Sequence, residues 1–286
     1  MDGFKMSMGM GMGSGIGGNP FISEWDTRNT STGSSTDTQI QLPLVAGGTY
    51  DFWVYWGDGT SSHITSWNQA ETLHDYGVGN GGVKTIRIVG TIIGFKFAYS
   101  GDVLKLLSIR LLGNLAFLDS GFWFAGCSNF VGSYDPFKIV GKTSFEYMFA
   151  NCYVFNQPVA SLDTSAGAYF DYMFFSCYVF DQPVASLDTS AAENFAYMFF
   201  GCFVFDQSLA SFVIANVTSM LHFLTDVTLS VANFSATIIS WQTQSHHQNI
   251  STDFGNSKLV MGSVADDALI SLNVDDGWTI LFGGYV

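Results

Sequence analysis

The sequence predicts a β-rich fold in two parts: a β-sandwich over residues 21–95, then a solenoid of 25-residue repeats closed by a mixed α/β cap. Three observations carry this. Cys127, Cys152, Cys177 and Cys202 recur at intervals of 25. Phenylalanines flank each of them three residues before (Phe124, Phe149, Phe174, Phe199) and three after (Phe130, Phe155, Phe180, Phe205). Upstream, runs of alternating apolar residues are separated by glycine-rich turns. A fixed period of this size marks coils that bury their apolar faces against one another, whereas strict alternation marks half-buried strands.

Four segments follow in order. Residues 1–20 form a Gly/Met-rich arm in which Met6, Met8, Met10 and Met12 alternate with small residues. Two readings stand for it: a disordered leader, or an attachment arm whose four thioethers lie along a neighbouring subunit. Residues 21–95 hold the strand Tyr50–Trp56, the turn Gly57-Asp58-Gly59-Thr60 and the alternating strand Val83–Val89, as hairpin chemistry requires. Residues 96–226 are the solenoid, opened by a coil of less regular hydrophobicity that covers its exposed end. The repeat also places Tyr134, Val159, Val184 and Leu209 seven residues after each cysteine. Its fifth copy, Val217–Leu221, is expected to be degenerate, with Met220 out of step with Met198. Residues 227–286 are the cap, with helical patterns around Phe234–Trp241 and Ala265–Leu272 and a closing strand at Gly277–Ile280.

Composition narrows the functional classes. The 286 residues are 48% hydrophobic and 12% charged, with a formal net charge of −14. Such a surface repels phosphate backbones and anionic lipid, which argues against nucleic-acid or membrane-surface binding. No apolar run approaches the ~18 residues of a membrane span. Equivalent cysteines in adjacent coils form a column about 4.8 Å apart, which cannot wrap tetrahedrally round zinc. Buried free thiols filling a core slot are therefore expected, although that spacing also admits a disulfide. The glycine patterns at Gly77/Gly79/Gly82 and Gly13/Gly15/Gly18 lack the strand–loop–helix context of a phosphate cradle.

The carboxylates are the remaining candidates for chemistry. Stacking sets Asp181 beside Asp206 and Asp163 beside Asp188. Capping of backbone N–H groups at their own corners comes first. A calcium site comes second, because calcium takes carboxylate oxygens. A glycosidase pair comes third, since retaining enzymes hold their carboxyls about 5–5.5 Å apart. Asn156, at the position of Asp181, fits capping better than catalysis.

Two resemblances bear on family. Trp56-Gly57-Asp58-Gly59-Thr60, followed by His74-Asp75-Tyr76, resembles a PKD-type immunoglobulin-like domain, which implies a spacer or adhesive module. The repeated Tyr-Met-Phe-x-x-Cys-x-x-Phe-Asn/Asp-Gln pattern, ending in Leu-Asp-Thr-Ser at Leu162–Ser165 and Leu187–Ser190, resembles the BspA-type leucine-rich repeat of bacterial surface proteins. That implies a coil built of a short strand and a turn or helix. The expected function is a non-enzymatic display protein at a virion or cell surface, without a cofactor. A phage capsid-decoration or tail-associated protein comes first, because no export signal is evident and the arm suggests attachment. A bacterial adhesin binding host protein or glycan is the alternative, and a glycan-cleaving enzyme the remote one. The partners expected are neighbouring subunits, including further copies of this chain, and capsid or tail protein.

Overall fold

The computed structural model describes residues 19–137 and 139–286. The methionines of the expected attachment arm (Met6, Met8, Met10, Met12) lie outside them. The fold is β-rich. Strands β1 (Phe21–Asp26), β3 (Leu44–Tyr55), β4 (Ser61–Ile64), β6 (Val83–Phe95) and β7 (Leu106–Leu111) form one antiparallel sheet in the order β4-β3-β6-β1-β7. The short β8 (Leu115–Ala116) adds to β6 in parallel at Ile92 and Ile93, beyond the end of β1. A separate pair, β2 (Gln39–Gln41) and β5 (Leu73–Asp75), runs antiparallel. In β3 the alternation reads directly: Tyr50, Phe52 and Val54 are buried, whereas Trp53 and Tyr55 face outward.

The boundary expected at residue 95 is crossed. Residues 106–111, read from sequence as part of a covering coil, pair with β1. The other edge of β7 receives the first repeat: Val131 N–H donates to Leu107 O and Tyr134 N–H to Ile109 O, with a parallel bridge from Ile109 to Ser133. One strand thus serves as both the last strand of the sheet and the first rung of the stack. The buried apolar core is correspondingly continuous from Phe21 to Ile280. This pairing also explains why Tyr134 departs from its repeat equivalents. It is 73% exposed, whereas Val159, Val184 and Leu209 are buried.

Successive repeats lie in parallel register, bridged at Ser144, Tyr169, Asn194 and Ser219. The expected short strand of each coil is reduced to these single bridges, for a reason visible in the backbone. Phe122, Tyr147, Tyr172, Tyr197 and His222 all have φ between 53° and 59°. Four residues on, Gly126, Asn151, Ser176, Gly201 and Asp226 are left-handed too. Two such residues per coil break extended geometry, and amides then alternate in direction. Phe145, Tyr147, Phe149 and Asn151 donate to Tyr169, Asp171, Met173 and Phe175 of the next coil at 2.7–3.1 Å. Following Tyr147, Phe149 and Asn151 in turn, Met148, Ala150 and Cys152 donate three residues back within their own coil. A left-handed non-glycine residue costs of order 1–2 kcal/mol, so five aromatic residues held there must be compensated by their neighbours.

Stacked rings supply that compensation. The Phe122–Tyr147–Tyr172–Tyr197–His222 column has ring centroids 4.3–4.9 Å apart. Inside the stack, Phe124, Phe149, Phe174 and Phe199 form a fully buried column at 5.5–5.7 Å. Phe130, Phe155, Phe180 and Phe205 form another at 6.0–6.2 Å. The cysteines are buried and free. Cys152, Cys177 and Cys202 each donate a thiol hydrogen bond to the carbonyl of Phe124, Phe149 and Phe174, 3.0–3.2 Å away in the preceding coil.

The fifth copy keeps register, contrary to expectation. Phe223, not Met220, stands 25 residues after Met198, and Phe199 N–H donates to its carbonyl at 3.0 Å. Leu224 and Val227 then replace Phe199 and Cys202, so side chains change while spacing does not. Helix α1 (Val231–Gln242), capped by Ser230, turns Phe234, Ile238 and Trp241 onto the last coil, where Trp241 Nε1 donates to Leu209 O. Helix α2 (Val264–Val274) packs on α1. Strands β9 (Ser251–Asp253) and β10 (Thr279–Leu281) pair in parallel and carry the stacking on.

Burial raises the pKa of all four thiols well above the usual value, and only the thiolate is nucleophilic. Iodoacetamide should therefore leave the native protein unmodified and alkylate four sites once it is denatured, as read by intact mass. Native labelling at the denatured rate would contradict this packing.

Candidate functional site

The coil stack turns two aromatic columns towards solvent. One is the half-buried tyrosine ladder just described. The other is a pair of columns from the dipeptides after the cysteines: Tyr153-Val154, Tyr178-Val179 and Phe203-Val204, all six exposed. Tyr153, Tyr178 and Phe203 stack at 4.6 and 5.1 Å, so their faces are spent on each other and their edges point out. Six aligned apolar side chains on three consecutive coils make a flat stripe of the kind that marks a protein contact. Its signal was present in the sequence as Cys-Tyr-Val-Phe, but exposure of the middle pair could not be read without the position of the turn.

The column Asn156, Asp181 and Asp206 flanks this stripe. Each is an acceptor for the next coil: Asn156 Oδ1 takes Asp181 N–H, Asp181 Oδ1 takes Asp206 N–H, and Asp206 Oδ1 takes Ser230 N–H, all at 2.7–3.0 Å. Gln182 and Gln207 donate to the same oxygens of Asn156 and Asp181. The bonds reach the next coil, where the sequence had suggested each residue's own corner. Asp163 and Asp188, by contrast, do hold their own corners, accepting from Ser165 and Ser190 N–H. Oxygens committed to backbone amides are poorly placed for acid–base exchange. Among the described residues, no three His, Cys, Asp or Glu side chains converge as a metal site.

Asp58 gathers the residues that follow the first strand pair. It accepts from Thr60 N–H and hydroxyl and pairs with His74 Nε2 at 2.7 Å. The His74 ring stacks on Trp56 at 4.7 Å and meets Tyr76 edge-on, and Tyr76 Oη donates to Trp56 O. Burial opposes ionisation of Asp58, but the bonds from Thr60 and His74 outweigh it and hold the carboxyl down at about 2. The arrangement locks a hairpin to the β5 edge and leaves no open coordination.

Sequence reasoning missed Asp171, beneath the tyrosine ladder. It follows Gly121 and Glu146 in one column and precedes Ala196 and Leu221. Its side chain is buried and Oδ1 has no hydrogen-bond partner. Burial, with the nearby charge of Glu146, pushes its carboxyl up to about 6. A folded-state value above the unfolded ~3.9 means that the neutral form is favoured. This contribution to stability is full below pH ~4 and is lost as pH rises through 6. Asp171→Asn should therefore stabilise the protein by about 1–3 kcal/mol at pH 8 and by little at pH 4. Thermal melting across that range checks it, and a gain independent of pH would contradict it.

Residues 121–241, less than half of the chain, match the family described as "Mycoplasma protein of unknown function, DUF285". No curated protein and no solved structure matches the chain. The matched segment begins just before the tyrosine ladder and ends within α1, so the similarity lies over the stacked coils.

Proposed function

We propose that this chain is a non-enzymatic display protein at the surface of a particle, presenting the aromatic stripe of its coils to a protein partner. The supporting observation is that stripe: six exposed apolar side chains aligned on a backbone that inter-coil bonds make rigid. Rigidity lowers the cost of association, because little conformational freedom remains to be lost. On this reading the coils are a short leucine-rich-type solenoid, and the preceding sheet with its β2–β5 pair is a PKD-like sandwich acting as spacer. The spent carboxylates and buried thiols suit a structural role.

For the particle, two readings are kept. A phage virion component, attached through the Gly/Met arm, is the reading from sequence. A bacterial cell-surface protein is favoured by the similarity of the coils to a family described from Mycoplasma. Protease shaving of intact cells and of purified virions, followed by mass spectrometry, tests both. Peptides of the coils should be released from one of these surfaces. Recovery only from the cell interior would overturn surface display. Replacing Tyr178 and Val179 together by serine should weaken attachment at that surface about tenfold or more while the protein stays folded, as read by circular dichroism. Unchanged attachment would remove the stripe from the interface.

A further inference from the structure

A groove lies where the β2–β5 pair and the turn after β4 face residues 96–102, which lead into the first coil. Its larger part is a cleft of about 580 Å³ whose lining includes Trp67, Asn68, Leu73 and Gln41. It shares Gln41, Leu73 and Gly101 with an adjoining hollow of about 400 Å³, lined further by Ser34, Ser35 and Thr36. Both volumes fall in the range of small-molecule clefts, about 300–1,000 Å³.

Three features give the groove a chemical character. First, Trp67 is 45% exposed. Among the described residues its ring meets no other aromatic ring, and its indole N–H has no protein acceptor. An indole face left open beside a cleft is a platform for a flat apolar surface. Second, the polar lining is amide and hydroxyl. The charged residues at the cleft are committed elsewhere: Lys96 donates to Ser120 and lies over the Phe122 ring, 5.1 Å away.

Third, one wall is held from beneath by the fully buried pair Asp102–Lys105, 3.3 Å apart. Asp102 accepts from Ser35 N–H, Ser35 hydroxyl and Gln41 N–H, each at 2.7 Å. Lys105 Nζ donates to the carbonyls of Ser35, Thr36 and Gln39 at 2.7–3.0 Å. A buried ion pair is a poor source of stability compared with apolar packing. Here it fixes the backbone carrying the Ser-Ser-Thr edge, and a fixed edge binds with less entropic loss.

We propose that this groove binds a neutral oligosaccharide, with Trp67 stacking on the C–H face of one pyranose ring and the side chains of Asn68, Gln41 and Thr36, which the buried pair does not engage, taking hydroxyls of the next. A sugar chain joins flat apolar faces to rows of hydroxyls without charge, which matches an indole beside uncharged donors and acceptors. The net charge of −14 disfavours an anionic glycan. The proposal rests on the non-enzymatic display reading in one respect, that the glycan is held rather than cleaved.

The test is titration of the full chain with maltotetraose, cellotetraose, chitotetraose and a hyaluronan tetrasaccharide, followed by calorimetry and tryptophan fluorescence. At least one neutral tetrasaccharide should saturate a single site and be recovered intact. Trp67→Ala should weaken that binding about tenfold or more, equal to about 1.4 kcal/mol, with an unchanged melting temperature, and Trp67→Phe should retain part of it. Failure of all three neutral chains to bind, undiminished binding by Trp67→Ala, or preference for hyaluronan would overturn the proposal. Cleavage of a chain bound through Trp67 would leave the groove standing and remove the non-enzymatic reading. A chain that binds in the groove while the protein is found only inside cells would remove surface display alone.

Discussion

The alternating direction of the amides in each coil is the constraint on which the rest of the stack depends. A β-strand in a parallel sheet would need both edges paired along its length. Here alternate N–H groups are satisfied inside their own coil, so a seam of eight residues, from Phe145 to Cys152, makes four bonds to the next coil and three to itself. That pattern requires a left-handed residue at Tyr147 and again at Asn151. The second position uses what tolerates this conformation, namely Gly, Asn, Ser or Asp. The first uses an aromatic ring. Its strain is sustained because each ring lies against those of the neighbouring coils, at a spacing the backbone bonds enforce.

Polar groups extend the same logic outward. Asn156, Asp181 and Asp206 repeat one acceptor geometry coil after coil, and the thiols repeat another from within. Neither column adds a reactive centre. Both tie coil to coil at places where the main-chain seam does not reach. The Asp102–Lys105 pair does comparable work at the junction with the sheet, holding residues 34–38, which belong to no strand, with bonds from two buried charges. Asp171 is the exception to this satisfaction. It is a buried carboxyl with an unmet oxygen where the same column elsewhere carries glycine, glutamate, alanine or leucine.

Much of the architecture was legible in the residues because it is periodic. The 25-residue interval, the buried phenylalanine columns and the hairpin at Gly57–Thr60 follow from spacing and turn chemistry alone. What was not legible has two physical causes. Left-handed tyrosines violate local preference, so the short strand that the resemblance implied for each coil gave no notice of the curl at Tyr147. Contacts that jump register were invisible as well. Residues 106–111 lack a clean period because they serve two partners at once, β1 and the first coil. The fifth copy was misaligned because Met220 invited comparison with Met198, whereas the backbone recognises only distance along the chain. Trp67 and the buried pair at Asp102 belong to loops, where burial and exposure are set by tertiary neighbours.

The seam also decides where this molecule can change size. Between the fifth coil and the strand that follows it, the parallel bridge joins Met220 to Thr252, 32 residues apart rather than 25, and the longer connection contains α1 on the limb away from the seam. The bonded edge keeps one gauge, while the far limb takes either a few turns or a helix. Growth and divergence in such a chain are therefore confined to one flank, and the other stays a fixed ruler along which whole coils are added or removed.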